Sequence, residues 1–142
     1  MAPRRRVVGA ATVSRRLLLD THVWLWWQAD DPRLGTESRQ LIQRASEVRF
    51  SAVSAWEIAI KVGLGKLQLP EGAGVGAALE ESGFVALPVD IEHAEDVRRL
   101  PDLHRDPFDR MLVAQARIEG LTLVTADRQM AAYGIQVIDA TT

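Results

Sequence analysis

The stretch RRLLLDTHVWLWW (residues 15–27) sets one carboxylate, Asp20, between three leucines and an aromatic run. Burying an unpaired carboxylate is costly, so the position needs a reason. Leu17, Leu18 and Leu19 read as a short strand that is apolar on both faces, the pattern of a strand inside a parallel sheet. The residues after Asp20 read as a helix, with Val23, Trp26 and Trp27 on one face and Trp24 on another. This phase puts Trp26 and Trp27 in the core. It makes Trp24 the aromatic available to an interface with another chain. A strand that ends on an acid and turns at once into a helix carries that acid to the carboxyl edge of a sheet.

The alternation continues along the chain. A helix is expected over about 36–46, then a second strand at VRFSAV (48–53). Ser54 starts a helix that Gly63 and Gly65 end. LQLPEGAGVG (67–76) reads as a loop, AALEES (77–82) as a short helix and FVALPV (84–89) as a third strand. Asp90 caps a helix in IEHAEDVRRL. The clearest helix is DPFDRMLVAQARIEG (106–120), with Asp106 as N-cap, Pro107 at the first position and Gly120 at the end. LTLVT (121–125) and IQVID (135–139) complete four to five strands. Strands alternating with helices predict an α/β fold: one domain over residues 17–142, with a central parallel sheet and helices on both faces. In such folds chemistry gathers outside the carboxyl ends of the strands, where the strand order reverses.

Composition narrows the class. The chain has 142 residues and no cysteine, which excludes disulfides and thiolate metal sites. No apolar run reaches membrane-spanning length, and a cytoplasmic setting is expected. Residues 1–16 hold five arginines and no acid, so 12 of the 17 basic residues and all 19 acids belong to the rest. That acidic body argues against passive nucleic-acid binding, which calls for a basic excess. It is compatible with an enzyme that handles phosphates through bound cations. The arginine-rich tail, residues 1–16, is expected to be disordered rather than a signal sequence, its VVGAATV patch being short and rich in small residues.

Three further acids share the setting of Asp20. Asp127 follows the fourth strand in LVTADR, two residues after Thr125. Asp109 lies in the first turn of its helix, in phase with Leu112, Val113 and Ala116 on the apolar face. Glu57 lies near the start of the helix after the second strand. Each has a structural explanation too. Asp20 and Asp127 fit as caps or turn residues. Glu57 fits a capping box with Ser54 in S-A-W-E. Asp106 and Asp109 suit a helix dipole, and Asp106 is read as a cap only. Their joint occurrence at strand ends is what favours chemistry. Clustered carboxylates repel one another, and burial raises their pKa values. A hard cation such as Mg²⁺ removes both costs, and such an ion can activate water against a phosphodiester.

LLLDTHVWLWW, SAVSAWEIAIKVGLGKL, HRDPFDRMLVAQARIEG and LTLVTADRQMAAYGIQVI, in that order, resemble the PIN-domain proteins. More closely they resemble the VapC-type toxins of bacterial toxin–antitoxin pairs, over roughly residues 17–139. The resemblance implies a ribonuclease dependent on Mg²⁺, with Mn²⁺ as substitute, neutralised by an antitoxin protein and often dimeric. It implies Asp20 and Asp109 as main metal ligands, with Glu57 and Asp127 completing the cluster directly or through water. Thr21 and Thr125 match water-positioning hydroxyls. The expected reaction is in-line attack of an activated water on an RNA phosphodiester, leaving a 5′-phosphate. Arg105, Arg110 and Arg128 flank the acidic motifs and are candidates for RNA phosphates. His22 and His104 lie near the same motifs and could assist locally, but a lone histidine is more often structural, so neither is counted among the catalytic residues.

Two other classes fit less well. A receiver-type signalling domain wants an acidic pair before the phospho-accepting Asp and a Lys after the last strand. Here leucines precede Asp20, and the only lysines are Lys61 and Lys66. A PIN-like module without catalysis keeps the fold, but the four retained acids argue against it. EGAGVGAALE and GLGKL lack the spacing of nucleotide-binding loops and read as turns.

Overall fold

Leu17, Leu18 and Leu19 are fully buried at the middle of a five-stranded sheet. The computed structural model describes residues 13–69 and 74–142. Its elements are β1 (Val13–Leu19), α1 (Thr21–Ala29), α2 (Thr36–Arg44), β2 (Ala45–Ser51), α3 (Ala52–Gly63), α4 (Val75–Ser82) and β3 (Val85–Leu87). They continue with α5 (Ile91–Asp96), α6 (Pro107–Glu119), β4 (Thr122–Thr125) and β5 (Val137–Asp139). Short 3₁₀ turns follow α5 (Val97–Arg99) and β4 (Arg128–Tyr133).

Every strand pair is parallel, in the order β3-β2-β1-β4-β5. Leu17, Leu18 and Leu19 lie against Val48, Arg49 and Phe50 of β2 on one side and Thr122, Leu123 and Val124 of β4 on the other. The alternation of side chains along a strand then divides the core. Leu17 and Leu19 pack with Val23, Trp27, Ile42 and Phe84. Leu18 packs on the opposite face with Leu112, Val113, Leu123 and Met130. The parallel sheet clad on both faces is the predicted α/β architecture.

Helix ends follow the capping chemistry. Asp106 accepts from the N–H groups of Phe108 (2.8 Å) and Asp109 (3.2 Å), Pro107 opens α6, and Gly120 ends it at φ 66°. That left-handed conformation is inexpensive for glycine. Asp90 and His93 form a reciprocal capping box at the start of α5.

Three expectations are corrected. Helix α3 begins at Ala52, capped by the Ser51 hydroxyl, which accepts from Val53 N–H at 3.0 Å; Ser54 is inside the first turn, and β2 stops before the apolar Ala52 and Val53. Trp24 is buried rather than presented: its ring lies 4.9 Å from that of Phe50. Helix α1 packs on both the sheet and α3, so its buried face is wider than one helical stripe. Strand β1 starts at Val13, inside the expected tail, and Arg16 is tied to the Glu47 carboxylate (2.6 Å) and the Glu119 carbonyl (2.9 Å). The expectation of disorder for residues 1–12 lies outside the described residues.

Candidate active site

The strand order reverses between β1 and β4, and the crevice of such a sheet opens at their carboxyl ends. Asp20 sits there. Its N–H donates to the Val124 carbonyl (3.0 Å), which extends the β1–β4 ladder by one residue and fixes the acid at the mouth. Its side chain makes no cap hydrogen bond into α1 beyond the adjacent Thr21 N–H, so capping alone does not explain it. Instead the Thr125 hydroxyl donates to Asp20 Oδ2 at 2.7 Å, and Thr125 Oγ1 accepts from Asp127 N–H at 3.1 Å. Burial pushes the Asp20 carboxyl above its usual range, opposed by Thr125 and by the Thr21 N–H.

Thr21 binds the second arm. Its hydroxyl donates to Glu57 Oε1 at 2.7 Å and lies 2.8 Å from Ser54 Oγ. The other Glu57 oxygen pairs with Lys61 at 2.9 Å, one helical turn on. Glu57 therefore takes no part in a capping box with Ser54. It is buried, faces the crevice and has a cation of its own.

Asp109 has none. Its backbone N–H is held by the Asp106 cap, but among the described residues no donor meets its carboxylate. Burial, with the charges of Asp20 and Asp106 next, lifts its pKa to about 7; Glu57 adds to the effect and His104 opposes it. Asp127 caps the following 3₁₀ turn through Oδ1, which accepts from Gln129 N–H at 3.0 Å. Its Oδ2 lies 2.9 Å from His104 Nε2. That nitrogen is buried, yet no hydrogen bond of proper direction reaches it. His104, Asp109 and Asp127 bring one ligand atom each to within 4.8 Å of one another.

The structure thus joins Asp20, Thr21, Glu57, Asp109, Thr125 and Asp127 around one crevice. It adds His104, which was read as structural: nothing local marks it, since its approach to Asp127 depends on packing of the loop before α6 beside β4. The arginines separate. Arg110 is committed to the fold, donating to the carbonyls of Pro101 (2.9 Å) and Val97 (3.0 Å), so it is withdrawn as a phosphate ligand. Arg128 pairs with Asp139 at 2.8 Å, and Arg105 is exposed.

The donor set suits a divalent cation. Its carboxylates are near one another, two of them hold protons more tightly than normal, and among the described residues Asp109 has no ion-pair partner in contact with it. A cation there would relieve both burial and repulsion.

A parallel sheet that gathers such acids at its switch point is the arrangement expected of a PIN-like α/β domain. The chain belongs to the PIN-domain family, whose sequence profile matches residues 17–136. Ribonuclease VapC22 of Mycobacterium tuberculosis is 31% identical over 119 residues, which cover 82% of this chain and 91% of that relative. The crystal structure of VapBC2 from Rickettsia felis bound to a promoter DNA fragment superposes with a TM-score of 0.64 at 14% identity, covering 86% of this chain and 96% of that one. DNA-bound VapBC from Salmonella typhimurium does so at 0.60 and 22% identity, covering 87% and 97%. These two structures speak to the fold.

Proposed function

We propose that this chain is a divalent-metal-dependent endoribonuclease and the toxin half of a toxin–antitoxin pair. The observation that carries this reading is the Asp109 carboxylate, half-buried beside Asp20 with no hydrogen-bond donor or ion-pair partner in contact among the described residues. The likeness to Ribonuclease VapC22 supports RNA as the substrate.

Asp20 and Asp109 would hold Mg²⁺ or Mn²⁺, with Glu57 and Asp127 completing the set directly or through water. When bound, the ion supplies Lewis acidity and neutralises charge on the phosphodiester. The chain's residues prepare the rest. Thr125 fixes Asp20 from one side and the backbone of Asp127 from the other. Thr21 and Lys61 occupy both oxygens of Glu57, which fixes the orientation of that acid. Arg105, and Arg128 at the rim, are assigned to RNA phosphates outside the acidic centre. The expected products carry a 5′-phosphate and a 3′-hydroxyl.

The partner is an antitoxin protein, in keeping with the VapBC complexes this fold matches. Residues 17–142 are proposed as the nuclease domain. Among the described residues no helix is long and apolar enough to cross a membrane. Trp56, 61% exposed and edge-on to Phe108 at 5.5 Å, takes the interface role first expected of Trp24, towards antitoxin or a second copy.

The test is cleavage of single-stranded RNA by purified, antitoxin-free protein with Mg²⁺ or Mn²⁺. EDTA and Asp20→Asn should each abolish cutting. Equal cutting by Asp20→Asn, or none by the wild type with metal, contradicts the proposal.

A further inference from the structure

The loop before α6 brings an imidazole into what is otherwise an oxygen site. His104 is held from behind: its ring stacks on Tyr133 with centroids 6.4 Å apart and planes 17° from parallel. The Arg110 guanidinium grips the same loop through the carbonyls of Pro101 and His104. The ring is therefore aimed before any ligand arrives.

What it is aimed at is not a simple hydrogen bond. Nε2 is buried and 2.9 Å from Asp127 Oδ2, but the direction is wrong for an N–H donated to that oxygen. Asp127 cannot turn freely to improve it, because Oδ1 is engaged by the Gln129 N–H. The third member, Asp109, offers a carboxylate that no donor among the described residues satisfies. One nitrogen and two carboxylate oxygens thus lie within 4.8 Å of one another with no directed hydrogen bond among them. Neutral imidazole has a lone pair to give there.

We propose that His104 Nε2 is a direct ligand of the divalent ion, so that the centre holds a first-row transition ion such as Mn²⁺ more tightly than an oxygen-only set would, relative to Mg²⁺. The inference rests on the metal-dependent reading above and assigns it a ligand. Its chemical basis is ligand type. Mg²⁺ is a hard ion that favours oxygen and keeps its waters, whereas an imidazole donor raises affinity for transition ions. The selectivity would come from a residue outside the four acids.

The experiment uses the full chain loaded with Mn²⁺ and reads the metal's own spectrum. Electron spin echo modulation should show coupling to a directly bound ¹⁴N in the wild type and none in His104→Gln. Labelling histidine with ¹⁵N should change the pattern without any substitution, which covers the case of a variant that does not fold. Calorimetric titration of His104→Gln should show Mn²⁺ affinity down about tenfold, with Mg²⁺ affinity changed less than about threefold. Bound Mn²⁺ without nitrogen coupling, or coupling that survives His104→Gln, overturns the assignment. An oxygen-only Mn²⁺ spectrum in a protein that still cuts RNA removes His104 alone and leaves the nuclease standing. Nitrogen-bound Mn²⁺ in a protein that cuts no RNA removes the nuclease and leaves the ligand. No Mn²⁺ binding at all overturns both.

Discussion

Among the described residues two places hold one histidine and two carboxylates at mutual distances that fit a metal: Asp90, His93 and Glu119 between α5 and α6, and His104, Asp109 and Asp127 at the crevice. Composition does not tell them apart; hydrogen bonds do. His93 Nδ1 accepts from the Asp90 N–H at 3.1 Å, so Nε2 carries the proton and meets Glu119 Oε2 at 3.0 Å. Both ring nitrogens are used, and Asp90 caps the helix by accepting from His93 N–H at 3.0 Å. That cluster is a closed structural joint. At the crevice Nε2 of His104 has a neighbour but no directed bond, and among the described residues the Asp109 carboxylate has neighbours but no hydrogen-bond donor. Buried polar groups are normally satisfied, and the exceptions call for an explanation. The open cluster lies at the switch point of the sheet beside Asp20, and the closed one does not.

This contrast is breakable by mutation. The largest effect is expected from Asp109→Asn or Asp20→Asn, each lowering RNA cleavage about a hundredfold or more, since loss of even an indirect metal support costs 10–100-fold. Rates of single-turnover cleavage check it. His93→Ala should do the opposite, lowering stability by about 2–3 kcal/mol through the lost capping box and the unpaired Glu119, with cleavage unchanged. Urea unfolding, read beside the same cleavage assay, separates the two. Thr125→Val removes the donor to Asp20 and is expected to weaken Mn²⁺ binding by about tenfold.

A pH dependence follows from Asp109. Its carboxyl is lifted from 3.8 to about 7, mainly by burial and then by neighbouring acids. The folded state therefore binds its proton more tightly than the unfolded chain. The associated stability is present below the unfolded pKa and is lost as pH rises through about 7. Metal-free protein should melt a few degrees lower at pH 8 than at pH 5, and Asp109→Asn should flatten that slope. Saturating Mn²⁺ should also reduce it, because the ion favours the ionised form. The smallest effect is expected from Arg105→Gln, a rise in KM of about threefold with kcat unchanged, as fits a contact to phosphate alone.

The contrast also shows what a sequence can disclose. LLL before Asp20 was enough to place that acid at the end of a buried strand, because strand polarity and burial are local patterns. Asp106, Pro107 and Gly120 marked α6 to the residue for the same reason. Ser54, not Ser51, is the cap the sequence suggests; both precede the same apolar run, and only the end of β2 decides between them. Trp24 was misplaced because a helix wedged between a sheet and another helix buries more than one stripe. The open state of His104 was beyond reach: it depends on where β4 delivers Asp127, on Gln129 holding one of its oxygens, and on Tyr133 behind the ring. No spacing in HRDPFD encodes those three contacts.

Mn²⁺ titrated calorimetrically into Asp109→Asn and Glu119→Gln tests most directly that the open cluster, and not the closed one, is the metal centre. Binding should be lost in Asp109→Asn and equal to wild type in Glu119→Gln. Retained binding in Asp109→Asn, or binding lost only in Glu119→Gln, would place the metal elsewhere and contradict the active site described above.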